Sequence, residues 1–235
     1  MRFCIDPGHR NTTYDFGATA CNIKESDLNL QIAKKLAEGL KHAGHEVFFT
    51  RTSETQVISL SKRIKEANKI SNLDYYLSIH INSATNLSAK GFEVWHYGES
   101  KELADSICQN VCIRTNQNNR GQKVSTGYAV LRDTYCESFI IECGFISNNE
   151  ERSQLLKTDF QNLIVAGILK AFGIDYDTSK PKDDKLSIIL NGVIKAVDYL
   201  EKDGANYIKL RDLKDAYIDI DYDSFSKMPV VNVKK

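Results

Sequence analysis

The chain has 235 residues, of which 42% are hydrophobic and 26% are charged, a composition typical of a folded globular protein. Its 31 basic residues balance 31 acidic residues, so net charge gives no indication of a nucleic-acid or anionic-membrane partner. No apolar run approaches the roughly 18 residues of a membrane span, and Asp6-Pro7 interrupts the apolar start, which argues against a signal peptide. The partner must therefore be sought through a specific site.

The first third of the sequence alternates strand and helix patterns. FCI predicts a strand that the DPG turn ends, which places His9 on a loop at a strand end. LNLQIAKKLAEGLKHAG keeps an apolar helical stripe and ends at Gly44. HEVFFTR then predicts a strand, SLSKRIKEANKI a helix, and DYYLSIHIN a strand with His80 near its end.

The middle of the sequence continues this alternation. GFEVWHY predicts a strand, ELADSICQNVCIRT a helix, YAVLR and SFIIECG two strands, and DFQNLIVAGILKAFG a closing helix that ends at Gly173. The pattern predicts an α/β fold in which a mostly parallel, twisted sheet is flanked by helices on both faces. Active groups are expected at the ends of the strands.

The last quarter predicts a second unit. Residues 175–184 are polar, contain Pro181 and lack an apolar period, which indicates a linker after a domain at 1–174. Residues 185–235 predict a small C-terminal α+β module: a hairpin in LSIILNGVIKAV, a strand and short helix in YIKLRDLKDAY, and a final strand in PVVNVKK. About fifty residues make a marginal core, so the module is expected to associate with a partner copy, the first domain or a ligand.

Three polar residues are candidates for chemistry: His9 after the first strand, Glu25 at the start of the first helix, and His80 at a strand end. Two imidazoles and one carboxylate suit a catalytic zinc ion, which takes three protein ligands and leaves a fourth position for water. Because the three are remote in sequence, simpler interpretations stay open. His9 could be a turn residue without a task, Glu25 a complement to a helix N-terminus, and His80 a hydrogen-bonded structural histidine.

A set of short segments runs in one order along the first domain: IDPGHR, KESDLNL, GHEVFFTR, LSKRIKEAN, DYYLSIHINS, KGFEVWHY, NRGQK, AVLR and FIIECGFISN. Over almost all of residues 2–174 this set resembles the zinc-dependent N-acetylmuramoyl-L-alanine amidases, the peptidoglycan-cleaving amidase-3 family. Each segment alone is a weak signal, whereas the ordered set is highly specific. The sequence departs mildly from the common pattern at Ser83 and Cys143, neither of which is a required ligand.

The resemblance implies that His9, Glu25 and His80 bind Zn²⁺ and that Glu142, in IIECGFISN, is the catalytic glutamate. Glu142 also ends the very apolar strand FII, where low dielectric is expected to raise its pKa towards a value useful in acid/base catalysis. The alternative for Glu142 is a helix cap or a salt bridge.

Two further residues are predicted to bind substrate. Asn82 lies next but one to His80 on the same strand end and is expected to donate a hydrogen bond to substrate, or else to serve the loop turn. Arg120, in NRGQK, is placed beside the substrate cleft by the resemblance, with a plain surface arginine as the alternative.

The implied reaction is hydrolysis of the amide between the lactyl group of N-acetylmuramic acid and the first L-alanine of the peptidoglycan stem peptide. Bacterial peptidoglycan is thus the expected partner, with no nucleic acid and no membrane. Two alternatives are a non-catalytic wall-binding protein that keeps the fold and a zinc peptidase that cuts within the stem peptide.

The C-terminal module resembles, over about fifty residues, the small stalk-type domain named after copper amine oxidases. It is expected to target the cell wall or to self-associate into a homo-oligomer, with Tyr199, Tyr207, Tyr217 and Tyr222 as sugar-stacking or core residues. The whole chain resembles a bacteriophage endolysin of a clostridial host, made in the host cytoplasm and released to the wall at lysis. A bacterial autolysin that acts outside the cell after its presequence is trimmed is the alternative.

Overall fold

The computed structural model describes residues 1–10, 15–98 and 100–176, and beyond them short stretches of backbone between residues 185 and 233. The chain divides into two compact units, Met1–Thr178 and Ser179–Lys235. The predicted linker at residues 175–184 lies mostly outside the described residues, since 177–184 are not among them. Within the described part of the chain, no helix has the length and apolar character needed to cross a membrane.

The first half of the larger unit contains the predicted strands and helices and one short additional hairpin. Its elements are β1 (Arg2–Pro7), β2 (Thr19–Ala20), β3 (Ile23–Lys24), α1 (Glu25–His42), β4 (Glu46–Phe49), α2 (Leu60–Asn68) and β5 (Tyr75–Asn82). The side chain of Ser59 caps α2 by accepting a hydrogen bond from the backbone N–H of Lys62. The small β2–β3 hairpin was not predicted, because two-residue strands carry no periodic signal.

The second half of the larger unit adds three strands and four helices. They are β6 (Phe92–His96), α3 (Lys101–Thr115), β7 (Asn119–Val124), α4 (Ala129–Arg132), β8 (Glu137–Phe145), α5 (Asn149–Leu155) and α6 (Thr158–Ala171). Strand β7 was not predicted, because its sequence, NRGQKV, is polar. β7 lies at the edge of the sheet, where polar residues are common in strands.

The prediction of a strand at YAVLR is wrong, because Ala129–Arg132 forms helix α4. The buried side chains of Val130 and Leu131 pack against Cys4, Tyr76 and Ile140 on the sheet. An apolar run this short has no periodicity that separates a helix from a strand, so its packing partners decide the conformation.

The central sheet has the strand order β4-β1-β5-β8-β6-β7. Every neighbouring pair is parallel except β6 and β8, which run antiparallel. Alternating residues of the strands point to opposite faces: Phe3, Leu77 and Ile141 belong to a core with α1, α3 and α6, whereas their neighbours Cys4, Tyr76 and Ile140 pack with α2 and α4. The predicted α/β fold, with a mostly parallel sheet between helices, is confirmed.

The smaller unit, described by itself, consists of antiparallel strands. β9 (Lys185–Leu190), β10 (Val193–Lys202) and β11 (Ala205–Ile208) form one sheet, and β12 (Ile218–Asp223) pairs with β13 (Met228–Val233). Leu190 pairs with Val193, as expected for a hairpin, although its turn residues 191–192 lie outside the described residues. The same holds for nearly all of the predicted short helix and for the four tyrosine side chains, so the module's role stays a prediction.

Candidate active site

Three of the predicted residues meet at the carboxyl edge of the sheet. His9 follows β1, Glu25 is the first residue of α1, and His80 lies near the end of β5. His80 Nδ1 is 2.9 Å and His9 Nε2 is 3.4 Å from the same carboxylate atom, Glu25 Oε1. One ligand atom from each residue lies within 4.8 Å of the other two, which makes the trio a group that could hold a metal ion.

The Glu25 carboxylate is buried and surrounded by hydrogen-bond donors. Its Oε2 accepts from the backbone N–H of Ala18 at 2.8 Å, and its Oε1 accepts from Ile81 N–H and Asn29 Nδ2, each at 3.2 Å. Burial alone would raise the pKa of Glu25, but the hydrogen bonds from His80 and His9 outweigh it and hold that pKa well below its usual range. Glu25 therefore has an ionised carboxylate in a fixed orientation.

His9 is held between two carboxylates. Its Nδ1 lies 2.6 Å from Asp15 Oδ1, while its Nε2 faces Glu25. Burial lowers the pKa of His9, yet Glu25 and Asp15 together raise it to about 9. A carboxylate behind a histidine fixes the ring for metal binding through the other nitrogen, so Asp15 suits the role of an outer partner.

The donor set fits a zinc ion. Both imidazoles converge on one oxygen of Glu25, so the cluster needs a positive charge at its centre, supplied by a proton or by a metal ion. Two histidines and one glutamate are an established ligand set of catalytic zinc, which keeps one position open for water or substrate.

Two glycines allow the donor groups to come this close. A Cβ on Gly8 would lie 2.3 Å from His80 Nε2. Gly17 has φ +69°, and a Cβ there would lie 2.4 Å from Glu25 Oε2. A side chain at either position would push a metal-site residue out of place, so only glycine fits.

Two buried arginines fix the backbone around His9, whose φ of 58° is in the left-handed region. Arg51 donates to the carbonyls of Pro7 and Gly8, each at 3.0 Å. Arg63 donates to the carbonyl of Pro7 at 2.8 Å and to that of His9. Three successive carbonyls are thus bound by guanidinium groups, which stabilises an unfavourable backbone conformation at the candidate ligand.

Asp6 balances the charge of Arg63. This buried carboxylate accepts hydrogen bonds from Arg63 and Thr50 through Oδ1, and from Ser78 Oγ through Oδ2 at 2.7 Å. Burial would raise the pKa of Asp6, but Arg63 and the hydroxyl donors lower it. Asp6 is therefore ionised and fully partnered.

Glu142 lies beside the three-residue cluster on the adjacent strand. It pairs in register with His80 on one side and with Glu93 on the other, so the three side chains share one face of the sheet. Its Oε2 is buried and has no hydrogen-bond partner among the residues that the structure describes. Burial and the nearby carboxylates of Glu25 and Glu93 raise the pKa of Glu142 to about 7.

A cavity of about 530 Å³ opens over these groups. His9, His80 and Glu142 line it, together with Leu60 and Tyr128 from the surrounding segments. The exposed side chains of Leu60 and Tyr128 give the cavity an apolar wall opposite its ionisable groups. A polar centre beside an apolar wall is typical of a substrate-binding cleft.

The side chains of Asn82, at the end of β5, and Arg120, on β7, both reach Glu93 of β6, the strand that neighbours Glu142. Asn82 Nδ2 and Arg120 Nε donate to different oxygens of Glu93, at 3.1 Å and 2.6 Å. Their predicted role in substrate binding stays a prediction. Glu93 itself was not predicted from the sequence, in which its one signal is a charged residue inside the apolar run FEVW.

A two-histidine, one-carboxylate donor set beside a further glutamate is an arrangement that metal-dependent hydrolases use. Comparison with known proteins identifies the family, within this class of hydrolases, to which the chain belongs. The chain belongs to the amidase-3 family, described as N-acetylmuramoyl-L-alanine amidase, whose sequence profile matches residues 3–173.

Individual relatives agree with this assignment. A probable cell wall amidase, LytH of Staphylococcus aureus, is 32% identical over 173 residues, and the match covers 70% of this chain and 56% of that protein. The chain thus spans about half the length of this curated relative. The crystal structure of an N-acetylmuramoyl-L-alanine amidase from Clostridium difficile 630 is 35% identical, with a TM-score of 0.67 over 73% of this chain and 94% of that one.

A third relative is an endolysin. The catalytic domain of CD27L, an endolysin that targets Clostridium difficile, is 26% identical, with a TM-score of 0.64 over 75% of this chain and 99% of that one. The similarity to these solved structures agrees with the sheet and helix arrangement described above.

Proposed function

We propose that this chain is a zinc-dependent N-acetylmuramoyl-L-alanine amidase. It hydrolyses the amide bond between the lactyl group of N-acetylmuramic acid and the L-alanine of the stem peptide in peptidoglycan. The convergence of His9, Glu25 and His80 beside Glu142, whose Oε2 has no hydrogen-bond partner among the described residues, carries the proposal, and membership of the family supplies the substrate class.

The residues fit distinct tasks. His9, Glu25 and His80 would hold the zinc ion, and Asp15 would keep the ring of His9 in the orientation that binding requires. When bound, zinc supplies a Lewis acid that lowers the pKa of water and polarises the scissile carbonyl.

Glu142 performs the proton transfers. Its carboxylate accepts a proton from the attacking water and then donates it to the nitrogen of the departing L-alanine. A pKa raised to about 7 serves both steps, because acid and base forms are then both populated near neutral pH. The buried Oε2 has no competing hydrogen bond among the described residues, so it is available to water or substrate.

Analysis of the products from purified peptidoglycan tests the reaction. An amidase releases stem peptides with a free L-alanine amino terminus and leaves the lactyl carboxylate on the glycan. A stem-peptide peptidase would instead expose an internal residue, and a non-catalytic wall-binding protein would bind the glycan without releasing peptide. Mass spectrometry of the soluble fraction, with and without a chelator, separates the three outcomes.

We further propose that the enzyme lyses cell walls as an endolysin acting on a clostridial host. The support is the similarity of its catalytic domain to that of CD27L. In this proposal the enzyme is made in the host cytoplasm and reaches the wall after release. Addition of the purified protein to clostridial cells should clear the suspension, with Bacillus cells as the comparison. An autolysin would instead be found outside its own growing cells.

A further inference from the structure

A second group of charges lies next to the proposed catalytic centre, centred on the buried Glu93 of β6. Glu93 Oε1 accepts hydrogen bonds from Trp95 Nε1 and Asn82 Nδ2, each at 3.1 Å. Glu93 Oε2 accepts from Arg120 Nε and Lys123 Nζ, each at 2.6 Å. The proposed amidase mechanism uses none of these side chains for proton transfer or metal binding.

The charges of this group do not balance. One carboxylate needs one cation, whereas Glu93 has two, so the group carries one excess positive charge. The excess charge is reachable by a ligand, because the side chains of Arg120 and Lys123 keep 37% and 32% of their surface exposed. The side chain of Glu93 is only 2% exposed, so its carboxylate contacts the two cations on the side that faces away from solvent.

Aromatic rings hold the two cations in place. Arg120 lies over the ring of Phe145, with 4.9 Å from Cζ to the centroid, and Lys123 lies over Trp95, with 5.0 Å from Nζ. A carboxylate and an aromatic ring together therefore fix each cation. Because the two side chains are already ordered, they lose little further conformational entropy when a ligand binds. Lys and Arg side chains with no such function are usually mobile at protein surfaces.

The position of the cations sets the distance to the reacting bond. Glu93 is the direct cross-strand neighbour of Glu142, and Lys123 lies one strand further, on β7. The charged groups themselves lie closer than the strand, because Arg120 Nε and Lys123 Nζ are each 2.6 Å from Glu93 Oε2. One strand spacing of about 5 Å and this contact put the cations roughly 5–8 Å from Glu142. A peptide extends by at most about 3.5 Å per residue, so a ligand group at the cations lies about two residues from the scissile amide.

We propose that Arg120 and Lys123 form a subsite for a carboxylate on the second residue of the stem peptide. This inference rests on the proposed function, because the distance to the subsite is counted from the amide bond that the proposed amidase would cleave. The guanidinium and the ammonium group each form a charge-assisted hydrogen bond to that carboxylate, while Glu93 keeps them in position. The subsite would make the enzyme prefer stem peptides with a free carboxylate over those with a carboxamide.

Two matched substrates test this preference. Both are N-acetylmuramoyl tripeptides with the same scissile amide and a γ-linked D-glutamate as second residue, with its α-carboxylate either free or converted to the carboxamide. We expect kcat/KM of the wild type to be roughly ten- to hundredfold higher for the carboxylate. Lys123→Met should move this ratio towards one, and Lys123→Arg should restore most of it.

The control is Lys69→Met, which removes a surface lysine paired with Glu66 and should leave the ratio at the wild-type value. Equal kcat/KM of the wild type on both substrates overturns the subsite and leaves the amidase activity intact. A Lys123→Met variant that loses activity on both substrates alike, with an unchanged ratio, also overturns it, because that result indicates a structural role. Hydrolysis of neither substrate would overturn the proposed function and the subsite together.

Discussion

Two carboxylates on the same face of the sheet, the buried Asp6 on β1 and the partly buried Glu142 on β8, have opposite surroundings. Asp6 is ionised because Arg63 and two hydroxyl groups compensate its burial, and its pKa is lowered. Glu142 has carboxylates as neighbours and an Oε2 without a hydrogen-bond partner among the described residues, and its pKa is raised to about 7.

The difference separates structural support from chemistry. The Asp6 network stabilises the loop that carries His9, since Arg63 also binds the carbonyl of His9. Glu142 is unsatisfied in a way that costs stability, and such a cost is typical of groups that act on a substrate. In the proposed mechanism, the satisfied carboxylate positions the site and the unsatisfied carboxylate performs the proton transfer.

The largest expected effect is on activity, from Glu142→Gln. This change keeps the shape of the side chain and removes the proton acceptor, so amide hydrolysis should fall by about 10²- to 10⁴-fold. Zinc binding and the circular dichroism spectrum should stay at wild-type values. Release of L-alanine termini from purified walls measures the activity, and more than a tenth of wild-type activity would remove Glu142 from the mechanism.

Arg63→Leu tests the other carboxylate. It leaves Asp6 buried without its cation, so the free energy of unfolding should fall by about 3–5 kcal/mol. Urea denaturation measures this loss. Lys90→Leu, which breaks an exposed ion pair with Glu150, is the control and should have little effect. An Arg63 variant as stable as that control would show that Asp6 is not an ionised structural partner.

Because the pKa of Asp6 is lowered and that of Glu142 is raised, the two carboxylates should change the free energy of unfolding with pH in opposite directions. The pKa of Glu142 is raised in the folded state from 4.5 to about 7, so its protonation stabilises the fold below pH 4.5, and this stability is lost as pH rises through 7. The metal-free Glu142→Gln variant has no carboxyl group that titrates at this position, so it should not lose this stability as the pH rises. Its stability relative to the metal-free wild type should rise by up to about 3 kcal/mol between pH 4.5 and pH 8. Urea titrations at several pH values measure the difference, and a flat difference would contradict the raised pKa.

Zinc should stabilise the wild type through the cluster of His9, Glu25 and His80. At a free zinc concentration 100 times the dissociation constant, the gain is about 2.7 kcal/mol, visible as a higher Tm that a chelator reverses. His80→Ala should lose most of this response, whereas His42→Ala, at the end of α1, should keep it. An equal zinc response in both variants would place the metal elsewhere.

The sequence predicted β1, β5 and β8 well because each contains an apolar run. The Asp6-Pro7-Gly8 turn ends this run in β1, and the polar residues His80 and Glu142 interrupt it in β5 and β8. Assignment of Glu25 as a ligand depended on the family resemblance, since a glutamate at a helix start has ordinary explanations. The pairing of the strands could not be predicted from the sequence. The position of Glu93 opposite Glu142 depends on the antiparallel register of β6 and β8, which no local pattern encodes.

The Asn82 and Arg120 predictions show the same limit. Each was judged as an isolated residue, whereas in the structure both donate to Glu93. Lys123 was not predicted at all, because its contact with Glu93 requires β7 to pair with β6. Long-range pairing, rather than residue type, defines this part of the site.

The proposed zinc site is tested most directly by the metal content of purified wild type and His80→Ala, measured together with peptide release from purified walls. We expect about one zinc per wild-type chain and release of peptides with L-alanine amino termini, with both lost in His80→Ala. A wild type that releases these peptides without any bound metal, or a His80→Ala variant that keeps both zinc and activity, would contradict the proposed zinc site.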